Sequence, residues 1–335
     1  MVRRTLVVLC ALGVTALSAL AQSGEETRPL RIGDIELVIN NVFEEGKEDA
    51  FSWAYRFGNK IHIRTREDVV RRELLFASGD PLDKEALEQT ERNLRGVSFI
   101  RDARVETHPA EDGRVDVRVI TYDSWTLVPQ IRLAKSANRF AWTFGVAEKN
   151  LLGYGKWVAL SRRSGLDRDD TVFYYYDPHL AGSRTQTLVS YANQSDGSRG
   201  LFSLARPFFA LSAGWGFGVR LEGFDQLDPL YEDGERVDDL RHVRKHGDFE
   251  VARAVLRSGP RAARLHVAYR SHEDEVAGDL RDFGIFELGV SLEEHRFLKL
   301  DHVNRFETVE DFNLGYDAGA FVGVSTPALG GEEGT

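Results

Sequence analysis

Bulky apolar residues alternate with small or polar ones at Phe140, Trp142, Phe144 and Val146, with Ala141, Thr143, Gly145 and Ala147 between them. A period of two with unlike faces predicts a β-strand with one face against something apolar. The pattern recurs. Trp215, Phe217, Val219 and Leu221 oppose Gly216, Gly218, Arg220 and Glu222, and Ala263, Leu265, Val267 and Tyr269 oppose Arg264, His266, Ala268 and Arg270. Phe286, Leu288, Val290 and Leu292 oppose Ile285, Glu287, Gly289, Ser291 and Glu293. From Trp125 onward about eleven or twelve strands are predicted in this way. The pattern from Glu250 to Arg257 is broken, and its faces stay unassigned.

A charge at a lipid-facing midplane position costs about 2–4 kcal/mol, so charges kept to one face fit a sheet with lipid outside and water inside. The connections fit a membrane barrel too. Leu152 to Gly155, Ala181 to Arg184, Phe209 to Ala213 and Gly259 to Arg261 read as tight turns, and Gln226 to Lys245 as one long acidic loop. Short turns belong on the periplasmic side and long loops outside. Tyr174, Tyr175 and Tyr176, before Asp177-Pro178, suit an aromatic girdle at an interface.

The chain before Asp123 has a different rhythm. Ile32, Ile35, Leu37 and Ile39 predict a first strand, followed by the charged loop Glu44 to Asp49. Phe51, Trp53, Tyr55 and Phe57 alternate without fixing an element. Thr65 is a candidate N-cap with Asp68 three residues on, and Val70 and Leu74 share a face, which predicts a helix of about ten residues. Gly79-Asp80-Pro81 breaks it. Asp83 can cap a second helix carrying Leu87 and Leu94, with Gly96 just past its end. Ala103, Val105 and Thr107, then Val115, Val117 and Val119, alternate with charged residues about an Asp112-Gly113 turn, which predicts a hairpin with one dry face. Strand, helix, helix, strand, strand implies one mixed sheet with both helices on its apolar side.

The N-terminus adds a compartment. Arg3 and Arg4, an apolar run from Leu6 to Leu17 and Ala19-Leu20-Ala21 have the layout of a secretory signal peptide, residues 1–21, too short to span a bilayer as a mature helix. The only cysteine, Cys10, lies inside it behind bulky Val8 and Leu9, which is not the setting of a lipidated cysteine. The mature chain therefore has no thiol and needs no disulfide. A net charge of −10 argues against nucleic acid as a partner. No later stretch of about 18 apolar residues exists, so membrane insertion has to be by strands.

Several stretches resemble a known family. The strand, two helices and hairpin, with Gly79-Asp80-Pro81 between the helices and Asn93-Leu94-Arg95 through Phe99-Ile100-Arg101-Asp102-Ala103 leading into the hairpin, resemble a polypeptide-transport-associated (POTRA) domain. Glu148-Lys149-Asn150-Leu151-Leu152-Gly153-Tyr154-Gly155-Lys156 and Asp177-Pro178-His179-Leu180-Ala181-Gly182 resemble the first two periplasmic turns of BamA/TamA-type outer-membrane assembly factors, the bacterial surface antigen family. The likeness covers residues 28–325. It departs from the family in having one such module rather than several, fewer strands than the family barrel, no Arg-Gly-aromatic motif, and an end at Gly330-Gly331-Glu332-Glu333-Gly334-Thr335 in place of a strand with a terminal aromatic. An unclosed barrel would leave edge groups unpaired in lipid, so the chain reads as truncated.

The resemblance implies an α+β POTRA domain (β-α-α-β-β) at residues 28–123, then the N-terminal part of an antiparallel transmembrane β-barrel at 125–335, in the outer membrane of a Gram-negative-type cell with the module in the periplasm. It implies that Ala103, Arg104, Val105, Glu106 and Thr107 form a strand edge where a client's backbone could pair, or an edge that is only solvated. It makes the strand with Leu127, Pro129, Gln130 and Arg132 a gate that can open, and Asn150, Leu152, Gly153 and Gly155 the first periplasmic turn. The partners would be client polypeptides, outer-membrane or secreted, and outer-membrane lipid, with no nucleic acid, no cofactor and no metal. No catalytic constellation rises above background. Gly214-Trp215-Gly216-Phe217-Gly218 lies in a strand, Glu293-Glu294-His295 lacks a second histidine, and Pro178 puts Asp177 and His179 in a turn. The expected function is non-enzymatic help in inserting or moving client polypeptides, with a dedicated two-partner secretion pore or a passive channel as alternatives.

Overall fold

The computed structural model describes residues 30–43, 52–111, 113–136, 139–165, 167–301 and 309–326. The expected signal peptide with Cys10, the loop Glu44 to Asp49, Asp112 and the tail from Gly330 lie outside them. The first strand, β1 (Ile32–Asn40), is followed by the helices α1 (Ser52–Ile61), α2 (Glu67–Glu73) and α3 (Lys84–Gly96) and the hairpin strands β2 (Ile100–Pro109) and β3 (Val115–Asp123). The sheet order is β1-β3-β2, with β1 parallel and β2 antiparallel to β3. Its apolar side carries Ile32, Ala103, Val117 and Val119, covered by Val69 and Val70 of α2 and Leu87 and Leu94 of α3. Asp83 caps α3 as its position predicts, its Oδ1 accepting from the Glu85 N–H at 2.9 Å.

Three local expectations are corrected. The order holds three helices, because α1 precedes the two that sequence periodicity marks. Trp53 and Phe57 lie one turn apart and are 67% and 60% exposed, while Tyr55 stacks on Phe43 at 5.1 Å between ring centroids. Their spacing of two residues thus belongs to a helix. Thr65 does not cap α2, which starts after Arg66 and is seven residues long. Thr65 is buried instead, with its N–H donating to Asp123 Oδ2 at 2.8 Å. Gly96 is the last residue of α3 and not the one past its end.

The second sheet has eleven antiparallel strands. In spatial order they are β4 (Leu127–Ser136), β5 (Arg139–Glu148), β6 (Trp157–Ser164), β7 (Asp169–Asp177), β8 (Gln186–Gln194), β9 (Gly197–Arg206), β10 (Trp215–Glu232), β11 (Glu235–Ser258), β12 (Arg261–Val276), β13 (Asp279–Glu294) and β16 (Asp317–Val324). Between β13 and β16 the chain makes a separate two-stranded sheet, β14 (Phe297–Asp301) with β15 (Val309–Asn313). Among the described residues β4 and β16 are unpaired edges, so the sheet is open, as expected of the N-terminal part of a barrel.

Register carries the two faces from strand to strand. Phe217 lies opposite Val251, which lies opposite Val267 and then Leu288. The other face holds Arg220 opposite Asp248, then Arg270. Arg270 bridges Asp248 at 3.1 Å and Glu287 at 2.9 Å. The broken pattern after Glu250 has a cause: a bulge between Ala254 and Leu256 shifts the register and swaps the faces.

Gln226 to Lys245 is no loop. β10 and β11 pair through it to a two-residue tip, Asp233-Gly234, both at positive φ. Cross-strand ion pairs such as Arg241–Asp225 at 2.7 Å and His242–Asp228 at 2.6 Å line this ladder, which is why it reads as polar loop. The tyrosine girdle is corrected as well. Tyr174 shares a face with Trp157, 4.9 Å away between rings, and with Tyr176, leaving Tyr175 alone on the opposite side.

Candidate functional site

The helices of the N-terminal region sit against the end of the large sheet where β5, β7 and β9 turn into the next strand, and each turn makes its own contact. In the first turn Asn150 is 2% exposed. Its Nδ2 donates to Thr65 Oγ1 at 2.9 Å, and its Oδ1 accepts from the Gly155 N–H at 2.7 Å. The Gly153 carbonyl accepts from the Arg66 N–H at 3.0 Å, while the Arg66 guanidinium lies over the Tyr154 ring. Gly153 and Gly155 have φ of +77° and +70°. A Cβ at Gly153 would strike the Arg64 carbonyl oxygen, and one at Gly155 would meet Phe99 at 2.8 Å. The glycines therefore serve close packing against the helical region as well as turn geometry.

The second turn repeats the first. Asn150 and His179 start 3-10 turns at φ −138° and −136°, and the next positive-φ pairs are Leu152-Gly153 and Ala181-Gly182. In each, the backbone N–H of the starting residue donates to the acid two residues earlier, Glu148 or Asp177. The His179 ring meets Glu73 at the end of α2 at 3.1 Å, and Arg184 donates to the Leu74 carbonyl at 3.0 Å. Asp177 and His179 thus brace a turn. In the third turn the Phe209 carbonyl accepts from Asn93 Nδ2 of α3 at 3.1 Å. A cavity of about 970 Å³ lies between helices and turns, lined among others by Arg92, Trp157, Tyr174, Tyr176, Phe209 and Phe297.

The residues Ala103, Arg104, Val105, Glu106 and Thr107 lie on β2, an edge strand of the small sheet. An edge strand needs partners for its outward backbone groups. Here α3 supplies two. Arg95 Nη1 donates to the Ala103 carbonyl at 3.1 Å, and Glu91 Oε2 accepts from the Val105 N–H at 3.0 Å. The Ala103 N–H donates to Asp102 Oδ1. The β14–β15 hairpin holds both α3 residues: Asp311 takes the Arg95 guanidinium with both oxygens at 2.6–2.8 Å, and Lys299 reaches Glu91 at 2.5 Å. Burial alone would raise the Glu91 carboxyl, but hydrogen bonds from Lys299, Arg95 and Val105 hold it below the usual value of 4.5. Burial alone would lower Arg95, and hydrogen bonds to Glu91 and Asp311 hold it above the usual arginine range.

The residues Leu127, Pro129, Gln130 and Arg132 lie on β4, an edge of the large sheet. Gln130 and Arg132 line a cavity of about 890 Å³ shared with Thr143, Ser161, Ser190 and Glu222 of the following strands, so this face of the sheet is concave. The structure keeps the β2 edge, the β4 edge and the first turn as separate places. Sequence reasoning missed the four residues Glu91, Arg95, Lys299 and Asp311. Only the i, i+4 spacing of Glu91 and Arg95 was visible, since their partners lie some two hundred residues on. Among the described residues no three His, Cys, Asp or Glu side chains gather as metal ligands, and no helix is long and apolar enough to cross a membrane.

No protein-family model matches the chain, and no curated protein sequence does. Among solved structures it is similar to BamA from Haemophilus ducreyi lacking POTRA domains 1–3, at 11% identity and a TM-score of 0.38, with 92% of this chain and 58% of that one covered. It is similar to CdiB from Acinetobacter baumannii at 13% identity and a TM-score of 0.39, covering 88% of this chain and 46% of that one. For CdiB from Escherichia coli the values are 12% and 0.40, with 91% and 46% covered. The chain spans about half the length of these chains.

Proposed function

We propose that this chain is an outer-membrane β-barrel protein with a periplasmic module of POTRA type, and that it assists the insertion or translocation of client polypeptides. The observation that carries the reading is the large antiparallel sheet whose charges keep to one face along the mid-strand register of β10 to β13, joined at its turn end to a module that offers a strand edge. Lipid against the apolar face and water against the charged one is the solvent arrangement such a sheet needs. In hydrocarbon an open edge leaves backbone groups without partners, so β4 works as the seam, and Pro129 weakens it by removing one ladder donor. A client would first meet the module by strand pairing and then the seam.

The test uses the full chain in phosphatidylethanolamine–phosphatidylglycerol vesicles, with a photo-crosslinker at Thr107 or Gln130 and an unfolded outer-membrane barrel as client. The expected result is crosslinks at both positions and faster folding of the client than in empty vesicles. Conductance with no crosslink at either position would make the protein a passive channel. Loss of a single secreted protein on deletion, with other barrels unaffected, would make it a dedicated secretion pore.

A further inference from the structure

The β2 edge is not open in this structure. Arg95 and Glu91 sit on it, and what keeps them there is the hairpin between β13 and β16. The Arg95 side chain is 4% exposed and that of Asp311 12%, so this is an interior ion pair with fork-to-fork geometry, not a solvated surface contact. Arg92 adds a second tether from α3, its guanidinium 4.4 Å above the Phe297 ring that begins β14. The large sheet does not require these contacts, since β13 and β16 pair directly with each other and the hairpin between them is a separate sheet.

Resting on the reading above, we propose that the β14–β15 hairpin is a latch on the β2 edge, and that the polypeptide segment which opens it is an extended strand bearing a carboxylate that replaces Asp311 on Arg95. Charge dictates the partner. A buried guanidinium stripped of one carboxylate is costly, so a neutral strand that displaced the hairpin would leave the Arg95 fork half-filled. A strand that brings its own Asp or Glu restores the fork. Its backbone then takes over the Ala103 carbonyl and the Val105 N–H, which Arg95 and Glu91 release. Lys299 leaves with the hairpin, and Glu91 keeps Arg95 as its partner.

The test is made on the full chain in vesicles with a photo-crosslinker at Thr107. The probes are two labelled peptides of alternating Val and Thr, one with a central Asp and the other with Asn in its place. Asp311→Asn and Lys299→Gln each remove one tether from the hairpin side and leave α3 and β2 intact. The latch predicts that both variants capture the Asp peptide more tightly than the unmodified chain, by about tenfold for Asp311→Asn, and that the Asn peptide is captured several-fold more weakly throughout. Equal capture by all three chains overturns the latch while leaving the edge reading in place. Equal capture of the two peptides overturns the carboxylate requirement. No crosslink in any chain overturns the edge reading itself.

Discussion

Asn150 shows how one side chain joins two parts of the chain. Its amide is donor to the helical region and acceptor for its own turn, and it is buried, so its removal takes this partner from Thr65 Oγ1 and from the Gly155 N–H. Asn150→Ala is expected to cost about 1–3 kcal/mol, seen as a lower unfolding midpoint in urea and as earlier proteolytic cleavage between Asp123 and Leu127. Glu91 makes a second prediction. Its folded pKa lies below the ordinary 4.5, so folding favours the ionised form and the stabilisation is fully present above that value. As the pH falls below 4.5 through the lowered folded value, the carboxylate protonates and Lys299, Arg95 and the Val105 N–H lose their acceptor. Spin labels on α3 and β14 should therefore report a fixed distance at neutral pH and a broadened one once the pH has fallen below 4.5 through the lowered folded value, with the change absent in Glu91→Gln.

At the scale of elements, the two-sided strands were the part legible in the sequence. A period of two survives in any strand whose faces meet different solvents, which is why β10, β12 and β13 could be divided face by face. The same faces predict that Val219→Arg, on the apolar side between Leu204 and Phe249, costs about 2–4 kcal/mol in folding into vesicles. Ser190→Arg, on the concave side, should leave folding nearly unchanged, as measured by the yield of protease-resistant chain. What hid were elements whose stabilising contacts are not hydrophobic or not local. The outer halves of β10 and β11 are held by a ladder of ion pairs and so look like a charged loop. The α1 aromatics stand two apart and so fix no element from the sequence. The β11 bulge spoils the alternation that would have assigned it. The hairpin β14–β15 and its hold on α3 left no local trace, because each ion pair joins residues far apart in sequence. The turn repeat did leave one, in Glu148-Lys149-Asn150-Leu151-Leu152-Gly153 against Asp177-Pro178-His179-Leu180-Ala181-Gly182, although its contact with α2 could not be read from it.

Across the whole molecule, an apolar face, a charged concave face and a helical region seated on one end come together. The turns at that end are spent on contacts with α2 and α3, so the helical region and the sheet meet at several successive points, by way of Asn150, His179, Phe209 and Asp311. The claim on which the rest depends is that the sheet lies in lipid with its charged face toward water. Spin labels placed singly at positions 217 to 222 of β10, in vesicles, test it most directly through relaxation by oxygen and by a water-soluble nickel chelate. The expected result is a period of two: oxygen-accessible labels at Phe217, Val219 and Leu221, and chelate-accessible labels at Gly218, Arg220 and Glu222. Labels that all favour the chelate, with no alternation along the strand, would contradict it.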